Sequence, residues 1–129
     1  MATYPRENMR VVHDPDGESR VLATNVHTAT TMLQKSKGLM FRKTIPDDYA
    51  LVFTFEPSWP FGAVRRRVIH MLFVRFPTDV VWLADDEVRK ARTMYPWRSI
   101  DYAKADTVIE LPKGAADDVE VGDTVVVES

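Results

Sequence analysis

The sequence predicts a single mainly-β domain, a two-layer antiparallel sandwich or flattened barrel with one short helix over residues 28–40. Three observations carry that expectation. Most segments between turn signals alternate apolar and polar residues with period two, the pattern of half-buried strands. One segment alone has a helical period. The chain has 129 residues, enough for one sizeable core but too few for two domains of ordinary size.

The elements follow in order. Residues 9–13 and 20–25 flank Asp14-Pro15-Asp16-Gly17, where Pro presets φ and Gly permits positive φ, so a β-hairpin is expected. In residues 28–40 the apolar side chains fall at Ala29, Met32, Leu33 and Met40. Thr28 could cap the start of a helix and Gly38 its end, although Thr28, Thr30 and Thr31 are poor helix formers. Residues 50–56 place Leu51, Phe53 and Phe55 on one face. Residues 67–74 are apolar on both faces, as in a central strand covered by two layers. Segments 79–84 and 88–94 surround Asp85-Asp86-Glu87, a second hairpin, and 107–111 and 119–128 complete the strands. The longest irregular stretch, 57–66, holds Trp59, Pro60, Phe61 and Gly62 and is expected to be a lid or binding loop.

Composition narrows the functional classes. Absence of Cys excludes disulfides, thiolate metal sites and a cysteine nucleophile. A formal charge of -2 gives no global attraction to nucleic acid or an anionic membrane. No stretch is apolar enough for a secretory signal or a membrane-spanning helix, so a soluble cytoplasmic protein is expected. Residues 1–100 carry 15 Lys+Arg against 11 Asp+Glu, whereas 101–129 carry two lysines against eight acids. Alternation of those acids with Val119, Val121 and Val125 to Val127 reads as a solvated strand face. Arg89, Lys90 and Arg92 read as edge protection, and a monomer is expected.

Four motifs in order resemble the DUF192 family, also called UPF0127. They are Lys37-Gly38-Leu39-Met40-Phe41-Arg42, similar to its GLMxR signature; His70 to Leu83 with Pro77 and Asp79 before an apolar strand; Val108-Ile109-Glu110-Leu111-Pro112-Lys113-Gly114; and Val121-Gly122-Asp123. The resemblance covers about residues 20–127 and implies a mainly-β sandwich-like fold with a short helix, and no established reaction. Many members carry Trp-Met-Lys-Asn-Thr where this chain has His70-Met71-Leu72-Phe73-Val74, so no role of those polar groups carries over. Many members also look exported, whereas this chain shows no signal.

Candidate chemistry rests on three groups. His70, Asp79 and Glu110 would form an acid/base cluster or a metal site if they converged, giving a hydrolase or metal-dependent enzyme. The simpler expectation is that Asp79 bonds loop amides, Glu110 pairs with an Arg, and His70 is a core histidine. Lys37, Arg42, Trp59, Arg66 and Arg75 could hold an anionic ligand by bidentate hydrogen bonds. Arg65, Arg66 and Arg67 beside aromatics suit single-stranded nucleic acid, a weaker alternative because alternate residues of a strand point to opposite faces. No serine elbow, nucleotide loop or metal-ligand spacing is present. The leading expectation is a non-catalytic module that binds a small anionic ligand or a protein partner, without cofactor or metal. For Arg42 a carboxylate partner, Glu110 or Asp79, is expected, with an open position awaiting an anion as the alternative.

Overall fold

The computed structural model describes residues 4–5, 9–14, 17–29, 38–40, 42–55, 65–71 and 73–128. Its strands are β1 (Tyr4–Pro5), β2 (Arg10–Asp14), β3 (Arg20–Ala23), β4 (Asn25–Ala29), β5 (Tyr49–Thr54), β6 (Arg65–His70), β7 (Thr78–Ala84), β8 (Glu87–Met94), β9 (Ile100–Ala105), β10 (Thr107–Pro112) and β11 (Thr124–Glu128). Nine form one sheet in the order β1-β4-β5-β10-β7-β8-β11-β2-β3, and β6 pairs with β9 in a second, two-stranded sheet. All pairings are antiparallel except β4 with β5. The result is a sandwich-like arrangement of two sheets, with the large sheet left open rather than closed into a barrel.

Strands β5, β10 and β7 fill the centre and are buried on both faces, with β7 buried along its whole length. One face carries Leu51, Phe53, Val80, Trp82 and Val108, and packs against Ile69 and Ala105 of the small sheet. The other carries Val26, Ala50, Val52, Val81, Leu83 and Ile109, and clusters with Val11 of β2 and Ala23 of β3. Trp82 is fully buried, and its indole N–H donates to the Arg67 carbonyl at 2.8 Å. That bond pins β6 to the core and satisfies the one polar atom of a large apolar side chain.

Both expected hairpins form. Asp14 Oδ1 accepts from the Gly17 amide at 2.7 Å in the turn between β2 and β3. Asp85 and Asp86 both adopt positive φ, 50° and 64°, so β7 and β8 join through a two-residue turn whose twist matches the strands. Asp106 braces that turn by accepting the Asp85 amide.

Two expectations are corrected. The helix over residues 28–40 fails at both ends: Thr28 and Ala29 belong to β4, paired with Val52 and Phe53, and 38–40 form a turn. Residues 30–37 lie outside the described residues. Thr28 is β-branched and gains a ladder partner as a strand residue, which outweighs its capping potential. Segment 67–74 is not the central strand either. The three arginines bring exposed β6 to the small sheet, β6 ends at His70, and Phe73 turns with φ 62°.

The acidic C-terminal segment is not merely solvated. Its carboxylates meet the basic surplus of the preceding segment across the sheets: Glu128 with Arg10, Asp118 with Arg20, Asp123 with His13, and Asp101 with both Lys90 and Arg92. Lys90 and Arg92 therefore clamp β9 to β8 rather than guarding an edge.

Candidate functional site

The site is built at the open edge of β6. Phe53 and Phe55 at the end of β5 face Arg66, Arg67, Val68, Ile69 and His70 across a groove of about 400 Å³. Alternation along β6 buries Ile69 in the core and leaves Arg66 and Val68 exposed. Arg67 is held rather than free: its Nε donates to the Ala105 carbonyl at 2.9 Å, and its guanidinium lies 3.8 Å from the Phe55 ring centroid. Burial lowers the Arg67 pKa, neighbouring Arg65 lowers it further, and Asp106 opposes the shift. Arg66 lies 5.6 Å from the Tyr102 ring and makes no ion pair among the described residues. The groove thus combines fixed cations with aromatic faces, the chemistry that holds an anion carrying an apolar part.

A buried carboxyl, Glu110, lies beside Gly38 together with Phe53 of the groove. Gly38 has φ +48°, and a Cβ there would stand 3.4 Å from Phe53 Cζ and 3.6 Å from Glu110 Oε1. The positive φ favours glycine at the position, while a Cβ there would find ordinary contact distances. Glu110 is 6% exposed, between Leu51 and Val80 of the neighbouring strands. Burial raises its pKa to about 8, and no ion pair or hydrogen bond to its carboxyl is found among the described residues.

The expected cluster of His70, Asp79 and Glu110 does not assemble. Asp79 sits opposite Leu111, one step along β10 from Glu110, so their side chains point to opposite faces of the sheet. Asp79 is buried and fully engaged: Thr93 Oγ1 donates to it at 2.6 Å, and the Gly114 and Ala116 amides donate at 3.0 Å. It ties the loop after β10 to the hairpin. His70 lines the groove on β6, away from Asp79. Among the described residues no group of three His, Cys, Asp or Glu side chains could hold a metal ion.

Arg42 has neither expected carboxylate. Its guanidinium lies 5.1 Å from the Tyr49 ring centroid, and Tyr49 in turn lies 5.0 Å from the His27 ring. Burial lowers the His27 pKa, and the Arg42 charge lowers it further. Among the remaining ligand candidates, Arg75 is exposed in the loop before β7, and Lys37 and Trp59 lie outside the described residues. The five do not form one described constellation; Arg66 is the member that lines the groove.

Two arrangements escaped the sequence reading. His13 is buried, with Nε2 2.8 Å from Asp123 Oδ2, while its Nδ1 has no hydrogen-bond partner among the described residues. The signal was present, since His13 shares a strand face with Val11. Phe73 and Trp97 stack edge to face, 4.9 Å apart, both at positive φ. No sequence signal announces that conformation for bulky residues.

These features define a small two-sheet β-sandwich with a cationic, aromatic-lined groove at one strand edge. The chain belongs to the DUF192 family, described as "Uncharacterized ACR", whose model matches residues 11–127. The fold is similar to that of a "putative transcription regulator" from Sinorhizobium meliloti 1021, with a TM-score of 0.80 at 21% identity, covering 98% of this chain and 96% of that one. It is also similar to a protein of unknown function from Novosphingobium aromaticivorans DSM 12444, with a TM-score of 0.77 at 21% identity, covering 97% and 94%. At such identity the likeness extends to the fold alone. No curated protein matches the sequence. Among the described residues no helix is long and apolar enough to cross a membrane.

Proposed function

We propose that this chain is a non-catalytic binding module whose groove between β5 and β6 takes a small anion carrying an apolar or aromatic group. The observation that carries the reading is the groove lining, in which Arg66, Arg67 and His70 border with Phe53 and Phe55 a groove of about 400 Å³. Guanidinium groups supply directed donors for a carboxylate or phosphate, and the phenyl rings exclude water beside them. The catalytic alternative draws no support from the geometry, since Asp79 is consumed by loop amides and Glu110 lies on the opposite face.

Thermal-shift measurements with phenyl phosphate and inorganic phosphate test the proposal. Phenyl phosphate should raise the melting temperature more than phosphate does. The double variant Arg66→Ala, His70→Ala should remove most of that shift. A shift that survives in the double variant would place the site elsewhere.

A further inference from the structure

The small sheet has an outer face that extends from the groove residues Arg66, Val68 and His70 of β6 across to Lys104, Tyr102 and Ile100 of β9, which do not line the groove. The register pairs Arg66 with Lys104, Val68 with Tyr102, and His70 with Ile100. Alternation turns these six side chains away from the core, because Ile69 and Ala105 point inward. Of these six side chains two are permanent cations and none is a carboxylate, although the protein as a whole is net negative. Asp101, the one acid of β9, points to the other side and is taken by Lys90 and Arg92.

The same region gathers exposed apolar side chains. Val68, Phe73, Tyr95, Trp97, Ile100 and Tyr102 are between 43% and 67% exposed, and among the described residues just two other large apolar side chains, Val21 and Val121, are comparably open. Six of eight on β6, β9 and the loops that follow β6 and precede β9 is a patch, and contiguous apolar patches of this kind mark interaction surfaces. Its corner is built at a cost. Phe73 and Trp97 hold left-handed φ values of 62° and 65°, and the Trp97 amide is anchored to the Met71 carbonyl at 2.9 Å. In an edge-to-face pair the edge-on ring keeps both its faces clear of its partner. Such strain persists only where surrounding structure imposes it.

We infer that this face binds short single-stranded nucleic acid, with Arg66 and Lys104 against phosphates and Tyr102 and Trp97 stacking on bases. Charge complementarity selects an anionic partner. Exposed aromatic rings set among cations on a two-stranded ribbon, with Arg66 and Lys90 each 5.6 Å from the Tyr102 ring centroid, select one with a charged backbone and planar rings. An acidic peptide has no need of several exposed rings. The Arg65, Arg66 and Arg67 triplet does not act together here, since Arg67 points inward onto Phe55.

Fluorescence anisotropy with a labelled short oligothymidylate tests this surface through Tyr102, Lys104 and Trp97, which do not line the groove. Affinity should fall roughly tenfold between about 50 and 200 mM salt, as expected for two or three neutralised phosphates. Binding should quench tryptophan emission, and the quenching should shrink in Trp97→Ala. Tyr102→Leu, which keeps an apolar side chain but removes the stacking plane, should weaken binding at least fivefold, and Lys104→Ala should flatten the salt dependence. Neither substitution should alter the phenyl phosphate response, which separates this inference from the groove. Circular dichroism confirms that each variant is folded. Oligothymidylate binding indifferent to Tyr102→Leu and Trp97→Ala would overturn the inference. So would the absence of binding at low salt, or equal retention of polyglutamate or phosphatidylserine vesicles.

Discussion

Replacing Glu110 by Gln should make the protein more stable near neutral pH and remove most of its alkaline sensitivity. The buried carboxyl keeps its proton up to about pH 8, against an ordinary value of 4.5. The folded state therefore binds more protons than the unfolded one throughout that window, so stability falls as pH rises through it. Each pH unit costs up to about 1.4 kcal/mol, which amounts to about 3 kcal/mol by neutral pH and about 5 kcal/mol across the window. Glutamine keeps the shape and removes the titration, at an expense of about 1 kcal/mol for burying an imperfectly bonded amide. Urea melts of both proteins from mildly acidic to mildly alkaline pH read the difference directly. Wild type should lose midpoint steadily with rising pH, while Glu110→Gln stays nearly level and overtakes it. Parallel curves for the two proteins would refute the reasoning, because some other group would then carry the pH dependence.

Asp79→Ala should destabilise the fold by about 3 kcal/mol, since two loop amides and the Thr93 hydroxyl lose their acceptor; a urea midpoint close to wild type would contradict this. Gly38→Ala should cost about 1–2 kcal/mol by thermal melting, from its positive φ. Arg42→Ala should cost under about 1 kcal/mol, the value of a cation over a tyrosine ring. In the same variant the NMR-titrated pKa of His27 should rise. A lowered histidine pKa means stability lost as pH falls below the ordinary 6.5, so Arg42→Ala should also be less sensitive to acid in that window. At Asp101, burial raises the pKa, but hydrogen bonds from Lys90, Arg92 and the Tyr102 amide override it and hold the group at about 2. The stability it contributes is present above the ordinary 3.8 and lost as pH falls toward 2. Asp101→Asn should remove that acid-sensitive part at a loss near neutral pH of no more than about 1 kcal/mol for these solvent-exposed partners.

Much of the fold was legible because turn chemistry is local. Asp14 to Gly17 and the Asp85-Asp86 pair announce their hairpins whatever surrounds them. Sheet order is not local, and there the reading broke down. Apolar Val68 and Ile69 looked central, but the layer a strand joins depends on what pairs beside it. The doubly buried strands are β5, β7 and β10, whose apolar runs are no more conspicuous. Thr28 and Ala29 read as a helix start because helical spacing outweighed the β-branched threonines, whereas parallel pairing with β5 decides their state. At the site, Glu110 stood out in sequence as a carboxylate within an apolar strand. The lack of a partner for it among the described residues, and the settling of Arg42 on Tyr49, depend on how separate strands stack. Strained backbone at Phe73 and Trp97 leaves no trace in residue type.

The groove between β5 and β6 is most directly tested by titrating isotope-labelled protein with phenyl phosphate and following backbone amide shifts. The account predicts saturable perturbations centred on Phe53, Phe55 and the residues of β6 from Arg66 to His70, with little change at Asp79 or His13. Perturbations absent from β6, or centred on the Asp79 loop, would contradict it.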